Sequence, residues 1–550
     1  MGMRYKNEDE NKENGVVYTS PRMAEYVADQ MIKYSSLSAN QECVTILDPA
    51  VGEGELLVAL ITRLLSMGKS VTATGYETNK TVAEHTQKYL QECFPDVSIE
   101  IRCADFLNAV DTGNVKKYDF VIANPPYVRT QIIGSKKAQE IAEKLKLTGR
   151  VDIYYAFLVY TKNVLKRNGV SGYITSNKFM TIRSGASVRN YMLQNYCVHQ
   201  ITDLGDTKLF SASVLPCIII FSHGTTENAD AVNFTSVYEE NTQRNYHYVS
   251  DIFDVIHKPG VYRLENGRGY RLQQGKLKST KNDDLWTLAS QENREWLDIV
   301  ESNTWMYFSN IGKIRVGIKT TADNVFIGDD WTGDKSDLEL LCPLITHRNA
   351  GQIVGNNHPQ WKVLYTHTIV NGKKVAHDIE RYPKTKNYLL EHYDQLSQRS
   401  YVLKAKRNWY EIWVPQNPTA WQHRKIVFRD ISAEPQFWLD ESGAVVNGDC
   451  YWIDIKSELP EDVVYLALAV ANSTFIEKFY DVMFNTKLYS GKRRYQTQYV
   501  EQFPIPRYDT NIAQEAISIV KKIIVGNTDG VSNYKKQLDL LVTQMFNQKN

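Results

Sequence analysis

The chain has 550 residues, which is too long for one ordinary domain, and its 43% hydrophobic and 23% charged residues are typical of a folded protein. No apolar run approaches the roughly 20 residues needed to cross a bilayer, and the charged N-terminus lacks the apolar core of a signal peptide. We therefore expect a cytoplasmic protein. The net charge of +1 neither indicates nor excludes a nucleic-acid partner, because phosphate binding depends on where Lys and Arg lie.

The seven cysteines are scattered along the chain, without a CxxC pair. None of them lies near a set of histidines with the spacing of metal ligands. We therefore expect reduced cysteines and no bound metal.

Residues 16 to about 222 alternate between apolar, β-rich runs and helical patterns such as 55–67 and 151–167. This alternation predicts an α/β fold with a mainly parallel sheet covered by helices. The composition then changes, since all ten tryptophans lie at or beyond Trp286. A shift of this kind predicts a second domain, which we place at residues 241–550 and expect to be α+β, after a first domain at residues 1–240.

Three successive predicted strands end in residues suited to a nucleotide-like ligand. The first ends in the glycine turn Asp48–Gly54, the second in Glu77 and the third in Asp105 and Phe106. A glycine turn lets the backbone approach a ligand, while Glu77 suits ribose hydroxyls and Asp105 an adenine amine, with Phe106 against the purine. Because the carboxyl ends of parallel strands meet at one edge of a sheet, the three features predict a single crevice.

A fourth strand, Tyr118–Ala123, runs directly into Asn124-Pro125-Pro126-Tyr127. The prolines fix the backbone and remove N–H groups, so their carbonyls act only as acceptors. The Asn124 side-chain oxygen and the Pro125 carbonyl are placed to accept both hydrogens of an aromatic amine, which localises its lone pair for attack on a methyl group. Tyr127 offers a face on which a planar target can stack. A plain Pro-Pro turn is the alternative interpretation.

These motifs resemble the γ class of N6-adenine DNA methyltransferases, and the match covers about 200 residues. Val17–Pro21 resembles motif X, although the inserted Ser20 leaves open which hydroxyl contacts the ligand. The resemblance implies a Rossmann-like class I domain that uses S-adenosylmethionine, followed by a target-recognition domain. The implied cofactor residues are Tyr18, Thr19, Pro21, Asp48, Ala50, Gly52, Gly54, Glu77, Thr78, Asp105, Phe106, Asn124 and Pro126.

Downstream motifs complete the resemblance. Residues 151–158, 172–177 and 203–212 are similar to motifs V, VI and VIII. The resemblance assigns catalysis to Asn124–Tyr127 and makes Phe210 the second aromatic side chain that holds a flipped base. A core position for Phe210 is the alternative. Base stacking of about 1–3 kcal/mol offsets much of the free energy that flipping costs.

The C-terminal half resembles the recognition domains of this family more loosely. Two basic patches are candidates for phosphate contact: residues 258–281, and a loop that contains Lys487, Lys492, Arg493 and Arg494 among tyrosines. A solvated loop face is the alternative for each patch. The resemblance implies double-stranded DNA as the partner, a monomer, and either a separate restriction endonuclease or none.

Other classes share parts of this pattern. Protein-glutamine methyltransferases use a similar loop but carry their extra domain before the motifs, and RNA guanine-N2 enzymes have related loops. Cytosine-N4 enzymes more often have Ser or Asp where this chain has Asn124. Cytosine-C5 chemistry needs a thiolate, and Cys217 lies in an apolar run typical of a buried strand. A catalytically inactive recognition subunit is the alternative outside the enzymes.

Overall fold

The computed structural model describes residues 19–37, 41–113, 115–127, 139–140, 142–143, 152–205, 207, 215–226, 232–240, 246–279, 286–356, 359–484, 492–526 and 531–547. The chain divides into two compact units. The first comprises Met1–Arg294 with Val482–Asn485, and the second comprises Glu295–Asp481 with Thr486–Asn550.

A twelve-stranded sheet organises the first unit. Its strands are β1 (Cys43–Asp48), β2 (Ser70–Glu77), β3 (Ser98–Cys103), β4 (Tyr118–Ala123), β5 (Leu165–Ser176), β6 (Tyr196–Asp203), β7 (Pro216–His223), β8 (Asn233–Glu239), β9 (His247–Val249), β10 (Gly260–Leu264), β11 (Gly269–Ser279) and β12 (Trp286–Ala289). The order is β3-β2-β1-β4-β5-β7-β6-β8-β11-β10-β9, and β12 pairs with β11. Strands β1 to β5 run parallel to one another, whereas β7 is antiparallel to both of its neighbours, β5 and β6. The predicted α/β fold is confirmed.

Helices cover both faces of this sheet. They are α1 (Pro21–Lys33), α2 (Glu55–Ser66), α3 (Lys80–Cys93), α4 (Phe106–Asp111), α5 (Ile153–Val164) and α6 (Ala186–Asn195), and α7 (Gln291–Ser302) follows β12. Successive residues of a strand point to opposite faces, so Ile46 joins the core layer with α1 and α2 while Leu47 joins the layer with α5 and α6. Burial on both faces explains why β1 and β4 are almost continuously apolar.

The first unit extends beyond the predicted boundary between residues 240 and 241. Strand β8 pairs with β6 on one side and with β11 on the other, so the chain after residue 240 continues the same sheet. The unit ends at Arg294, within α7. The first tryptophan, Trp286, lies close to this end of the unit.

The second unit contains several small sheets. Its strands are β13 (Met306–Tyr307), β14 (Gly312–Val316), β15 (Ile327–Gly328), β16 (Leu341–Ile345), β17 (Ile353–Val354), β18 (Lys362–Leu364), β19 (His367–Val370), β20 (Lys373–Ala376), β21 (Lys425–Arg429), β22 (Ile431–Ser432), β23 (Phe437–Asp440), β24 (Val445–Val446), β25 (Cys450–Ile455), β26 (Arg493–Arg494) and β27 (Pro504–Ile505). The largest has the order β14-β25-β21-β23-β17, and Trp452 of β25 packs in the core against Trp421, with 4.9 Å between the ring centroids.

Ten helices are described in or reaching into this unit beyond α7. They are α8 (Phe308–Ile311), α9 (Asp323–Phe326), α10 (Pro383–Glu391), α11 (Tyr393–Ser397), α12 (Ser400–Lys404), α13 (Glu461–Ala471), α14 (Thr474–Phe484), α15 (Thr497–Val500), α16 (Asn511–Ile524) and α17 (Val531–Phe546). Within the described ranges no helix is long and apolar enough to span a bilayer. The same ranges hold no group of three or more His, Cys, Asp or Glu that could bind a metal ion.

Candidate active site

The carboxyl ends of β1 to β4 lie along one edge of the first unit's sheet. Parallel pairing of these strands brings together the four polar residues that the sequence singled out, namely Asp48, Glu77, Asp105 and Asn124. Ligands of open α/β sheets bind in the crevice at this edge. The site is therefore built by topology from residues up to about 80 positions apart.

The turn after β1 depends on two glycines in the left-handed region. Gly52 has φ of +50° and Gly54, which precedes α2, has φ of +91°. Other residues adopt such angles only at a cost in free energy. The turn is held by two hydrogen bonds, from the Val51 N–H to the Tyr76 carbonyl (2.9 Å) and from the Thr86 hydroxyl to the Gly52 carbonyl (2.6 Å).

Asp48 is buried at the base of this turn, with 1% of its surface exposed. Its Oδ1 accepts a hydrogen bond from the Ala50 N–H at 2.9 Å, whereas Oδ2 has no hydrogen-bond partner among the described residues. Burial raises the pKa of Asp48 to about 7, and the neighbouring Glu77 carboxylate adds to this rise, against the Ala50 hydrogen bond. A buried carboxyl with an unused oxygen is suited to a cationic ligand group.

Glu77 and Thr78 lie at the end of β2. Glu77 is half-buried, and its Oε1 accepts hydrogen bonds from the Asn79 N–H (2.8 Å) and the Thr78 hydroxyl (3.4 Å). Its Oε2 accepts no hydrogen bond from the described residues. That oxygen suits the hydroxyls of a ribose, as the sequence predicted, and Thr78 is exposed beside it.

Asp105 and Phe106 differ in what they offer a ligand. Asp105 caps α4 by accepting at Oδ1 from the N–H groups of Leu107 (2.8 Å) and Asn108 (3.4 Å), and it remains half-buried. The Phe106 ring is 2% exposed and packs on the rings of Tyr76 and Phe157 at centroid distances of 5.5 and 5.8 Å. These core contacts cover most of the ring, and its position against a purine stays a prediction.

The side-chain amide of Asn124 is held from both sides. Its Nδ2 donates to the Thr19 hydroxyl at 3.0 Å, and its Oδ1 accepts from the Tyr127 hydroxyl at 2.9 Å. Burial, and secondarily Cys217, raises the pKa of Tyr127 well above its usual value, so this hydroxyl stays a donor. The Pro125 carbonyl accepts no hydrogen bond from the described residues.

The segment before α1 gives the hydroxyls of Thr19 and Ser20 different partners. Ser20 caps α1, because its hydroxyl accepts from the Met23 N–H at 3.4 Å and Pro21 occupies the first helical turn. Thr19 supplies the hydroxyl that reaches Asn124. The sequence identified both hydroxyls but gave no signal that one of them holds the Asn124 amide.

Further along the same edge, Asp203 ends β6 in a buried network. It accepts from Asn177 Nδ2 (3.0 Å), the Gly205 N–H (3.0 Å) and the Tyr238 hydroxyl (2.6 Å). Burial raises the pKa of Asp203 to about 6 despite these hydrogen bonds. The sequence missed Tyr238, since it lies on β8 without a motif. Phe210 and Tyr18 lie outside the described residues, so their roles stay predictions.

Cys217 is fully buried on β7 near Asp203. Burial, followed by the charge of Asp203, raises the pKa of its thiol well above the usual value. A thiolate nucleophile needs the opposite shift. The structure therefore supports the exclusion of cytosine-C5 chemistry at this residue.

Two of the four cations that the sequence proposed for DNA contact, Arg493 and Arg494, form ion pairs. The Arg493 guanidinium lies 2.8 Å from Asp481 and 2.9 Å from Glu477, and Arg494 lies 3.1 Å from Asp430. Their charges are already compensated within the second unit, which argues against the phosphate contacts predicted for Arg493 and Arg494. Lys492 is exposed, and Lys487 lies outside the described residues, so for these two the prediction stands untested.

The strand order β3-β2-β1-β4-β5-β7-β6, with β7 antiparallel and a ligand crevice at the carboxyl edge, defines a class I methyltransferase fold. Residues 55–210 match the Eco57I restriction-modification methylase family, and residues 367–505 match the TaqI-like C-terminal specificity domain.

Whole-chain relatives give the family. The Type II methyltransferase M.BanIII of Aneurinibacillus aneurinilyticus is 36% identical over 94% of this chain and 93% of its own length. M.BstVI of Geobacillus stearothermophilus is 25% identical over 92% of both chains. The chain therefore belongs to the Type II methyltransferases of restriction-modification systems.

Two solved structures share the fold over most of the chain. The DrdV–DNA complex has a TM-score of 0.54 at 11% identity and covers 95% of this chain and 58% of that chain. A nuclease-deletion mutant of the Type ISP enzyme LlaGI, in complex with a DNA substrate mimic, has a TM-score of 0.52 at 13% identity and covers 92% and 54%.

We expect Thr19→Val to lower kcat for methyl transfer roughly five- to tenfold at saturating cofactor, because one hydrogen bond that orients Asn124 is lost. Thr19→Ser, which keeps the hydroxyl, should restore most of the rate. Ser20→Ala is the matched control: it removes a helix cap, so it should lower the free energy of unfolding by about 1 kcal/mol and leave kcat unchanged. Equal loss of kcat in Thr19→Val and Ser20→Ala would contradict these assignments.

Asp48 predicts a pH dependence of stability. Because its folded-state pKa of about 7 exceeds the reference value of 3.8, the folded protein retains a proton that the unfolded chain releases between these values. The Asp48 contribution to the free energy of unfolding should thus be lost as pH rises from 4 to above 7. Denaturant titrations at pH 5 and pH 8, without ligand, measure how far the free energy of unfolding falls between these two pH values. The fall should be smaller in Asp48→Asn than in the wild type, by on the order of a few kcal/mol. An identical pH dependence in both proteins would show that Asp48 is not protonated in the folded state.

Proposed function

We propose that this protein transfers a methyl group from S-adenosylmethionine to N6 of adenine in double-stranded DNA. The observation that carries the proposal is the Asn124 amide, whose Oδ1 is held at the carboxyl end of β4, next to the unoccupied acceptor of Pro125. Membership of the Type II methyltransferases supports methylation over the protein-glutamine and RNA alternatives.

The two acceptors suit the chemistry of an aromatic amine. Such an amine is a weak nucleophile, since its lone pair is delocalised into the ring. An Asn124 oxygen and a Pro125 carbonyl that each accept one N–H hydrogen pull the nitrogen towards a tetrahedral geometry and localise that pair. No protein group needs to become covalently attached. The nitrogen would form a bond to the methyl carbon while the carbon–sulfur bond of the sulfonium donor breaks, and the electron pair of that bond would leave on the sulfur as a neutral thioether. One proton would pass from the nitrogen to solvent, and the positioned acceptors supply orientation and electrostatic stabilisation.

The crevice residues fit the proposed cofactor. S-adenosylmethionine, when bound, supplies a methyl group on a positively charged sulfur together with an ammonium group, a ribose and an adenine. The unpartnered Oδ2 of Asp48 is a buried acceptor suited to positive charge, and the free oxygen of Glu77 is suited to ribose hydroxyls. Asp105 is placed to accept from an adenine amine.

The Tyr127 hydroxyl is hydrogen-bonded to Asn124 Oδ1, the acceptor that the target amine must use. Its hydroxyl donates to Asn124 Oδ1 when no base is present, which keeps a half-buried amide oxygen satisfied. An incoming amine takes that place or shares the oxygen through its second lone pair. The Tyr127 ring then provides the stacking face for the flipped base, with Phe210 proposed on the other side.

The acceptor and the partners are inferred from residues and relatives together. Asn at the first position of the loop favours adenine, because cytosine-N4 enzymes more often carry Ser or Asp there. We assign catalysis to the first unit and recognition of DNA to the second, which contains the match to the specificity domain. A monomer acting on DNA, alone or beside a separate restriction endonuclease, completes the proposal.

Modification-detecting sequencing of DNA from a host that expresses the protein tests this function. We expect N6-methyladenine at one short sequence motif, and at least a hundredfold lower methylation with Asn124→Ala, because an oriented acceptor in a catalytic site contributes about that factor. Thermal unfolding of purified Asn124→Ala, with a melting temperature close to that of the wild type, serves as the folding control. Equal modification in both strains would remove Asn124 from the mechanism.

A further inference from the structure

The second unit contains a two-stranded ribbon that pairs with no other strand among its described residues. Strands β19 and β20 are antiparallel, and Val370 lies opposite Lys373. Asn371 and Gly372 join them with φ of +50° and +72°. Two successive positive φ values are typical of the tight type I′ turn, whose twist matches that of the flanking strands.

The end of this ribbon is exposed. Val370 is 51% exposed and Val375 is 36% exposed, and Asn371, Lys373 and Lys374 are exposed as well. Apolar valine side chains are not stabilised by exposure to water, and these two lie in a positively charged ribbon. This end is therefore a candidate contact surface rather than a simple connection.

Lys374, which lies opposite Ile369 and one pair from the turn, has two arginines as neighbours. Partial burial, followed by the charges of Arg407 and Arg315, lowers the pKa of Lys374, so these three side chains are electrostatic neighbours. None of them forms an ion pair within the described residues. Glu411, whose pKa is lowered partly by the charge of Arg407, has its closest cationic partner in His367 at 3.3 Å.

The arginines are held in place without being neutralised. Arg407 donates to the Trp413 carbonyl at 2.8 Å, and its guanidinium lies 4.9 Å from the Trp413 ring centroid. Arg315 is on β14, and its Nε is buried without a hydrogen-bond partner. The carbonyl of the next residue, Val316, accepts from Gln416 at 2.7 Å, which links β14 to the segment that follows Trp413.

The ribbon is anchored to the stretch of chain just before Trp413. His367, at the start of β19, contacts Glu411, and the Tyr410 hydroxyl donates to the His377 carbonyl at 3.0 Å just after β20. The buried guanidinium of Arg399 donates to the carbonyls of Trp409 (2.6 Å) and Glu411 (2.9 Å). The ribbon and the cations thus form one preorganised surface, which lowers the entropic cost of binding.

We propose that this surface binds double-stranded DNA: Lys374, Arg407 and Arg315 contact phosphates, and the Asn371–Lys373 turn enters the major groove. The proposal rests on the proposed function and names the residues that recognise its substrate. Neighbouring strands are about 4.8 Å apart, so a two-stranded ribbon fits a major groove about 12 Å wide. The major groove of A-form RNA is too narrow to admit it.

Binding of the full-length protein to fluorescent duplexes tests the proposal. One duplex carries the sequence motif that the enzyme methylates, and the other carries a scrambled version of it. The Kd for each is measured between about 50 and 300 mM salt. We expect each of three variants, Lys374→Gln, Arg407→Gln and Arg315→Gln, to bind both duplexes about tenfold more weakly at 0.1 M salt. Each should also reduce the salt slope, which is the steepness of log affinity against log salt concentration, by about one. Arg407→Lys should keep the slope, and Lys522→Gln, an exposed cation on α16, should match the wild type.

A separate variant tests the turn between β19 and β20. Asn371→Gly keeps the left-handed backbone and removes the amide, so the preference for the methylated motif over the scrambled one should fall about tenfold or more. Thermal unfolding of each variant checks the fold.

Unchanged affinity and slope in the cation variants, beside normal methylation by the wild type, would overturn the inference and leave the proposed function standing. A wild type that binds neither duplex would overturn both. Binding of duplex RNA as tightly as DNA would overturn the assignment to the major groove.

Discussion

The hydrogen bonds that hold the Asn124 amide constrain the whole catalytic proposal. An asparagine side chain presents a donor at one end and an acceptor at the other, and methylation of an amine requires the acceptor to face the target. Donation from Nδ2 to Thr19 fixes which end faces away, and Tyr127 then meets the oxygen. Thr19 immediately precedes the Ser20 cap of α1, so the position of that helix is coupled to the orientation of the amide.

The same edge of the sheet carries uncompensated acidic groups. Asp48 is buried beside Glu77, and its Oδ2 accepts no hydrogen bond from the described residues, so this edge is suited to a positively charged ligand group. The second unit carries a cluster of the opposite charge, because Lys374, Arg407 and Arg315 lie together without an ion pair among the described residues. Each cluster is complementary to the partner proposed for it.

Much of the first unit could be predicted from the sequence, because its features are local. The Asp48–Gly54 turn, the acids after β2 and β3 and the loop after β4 each follow an apolar strand, and parallel pairing places them together. The sequence could not show that the Phe106 ring is taken up by Tyr76 and Phe157, since burial depends on helices distant in the chain. Tyr238 was missed for the same reason, because only the pairing of β8 with β6 brings it to Asp203. Composition was a poor guide to DNA contact: Arg493 and Arg494 resemble a phosphate site until their acidic partners, 12 to 64 positions away in sequence, are seen.

The identity of the methylated atom tests the account most directly. Purified protein would methylate an unmodified plasmid with isotopically labelled S-adenosylmethionine, and the DNA would be hydrolysed to nucleosides for mass spectrometry. If Asn124 and Pro125 accept the two hydrogens of an adenine amine, all of the label appears in N6-methyldeoxyadenosine. Label in N4-methyldeoxycytidine or 5-methyldeoxycytidine, or no label in DNA, would contradict it.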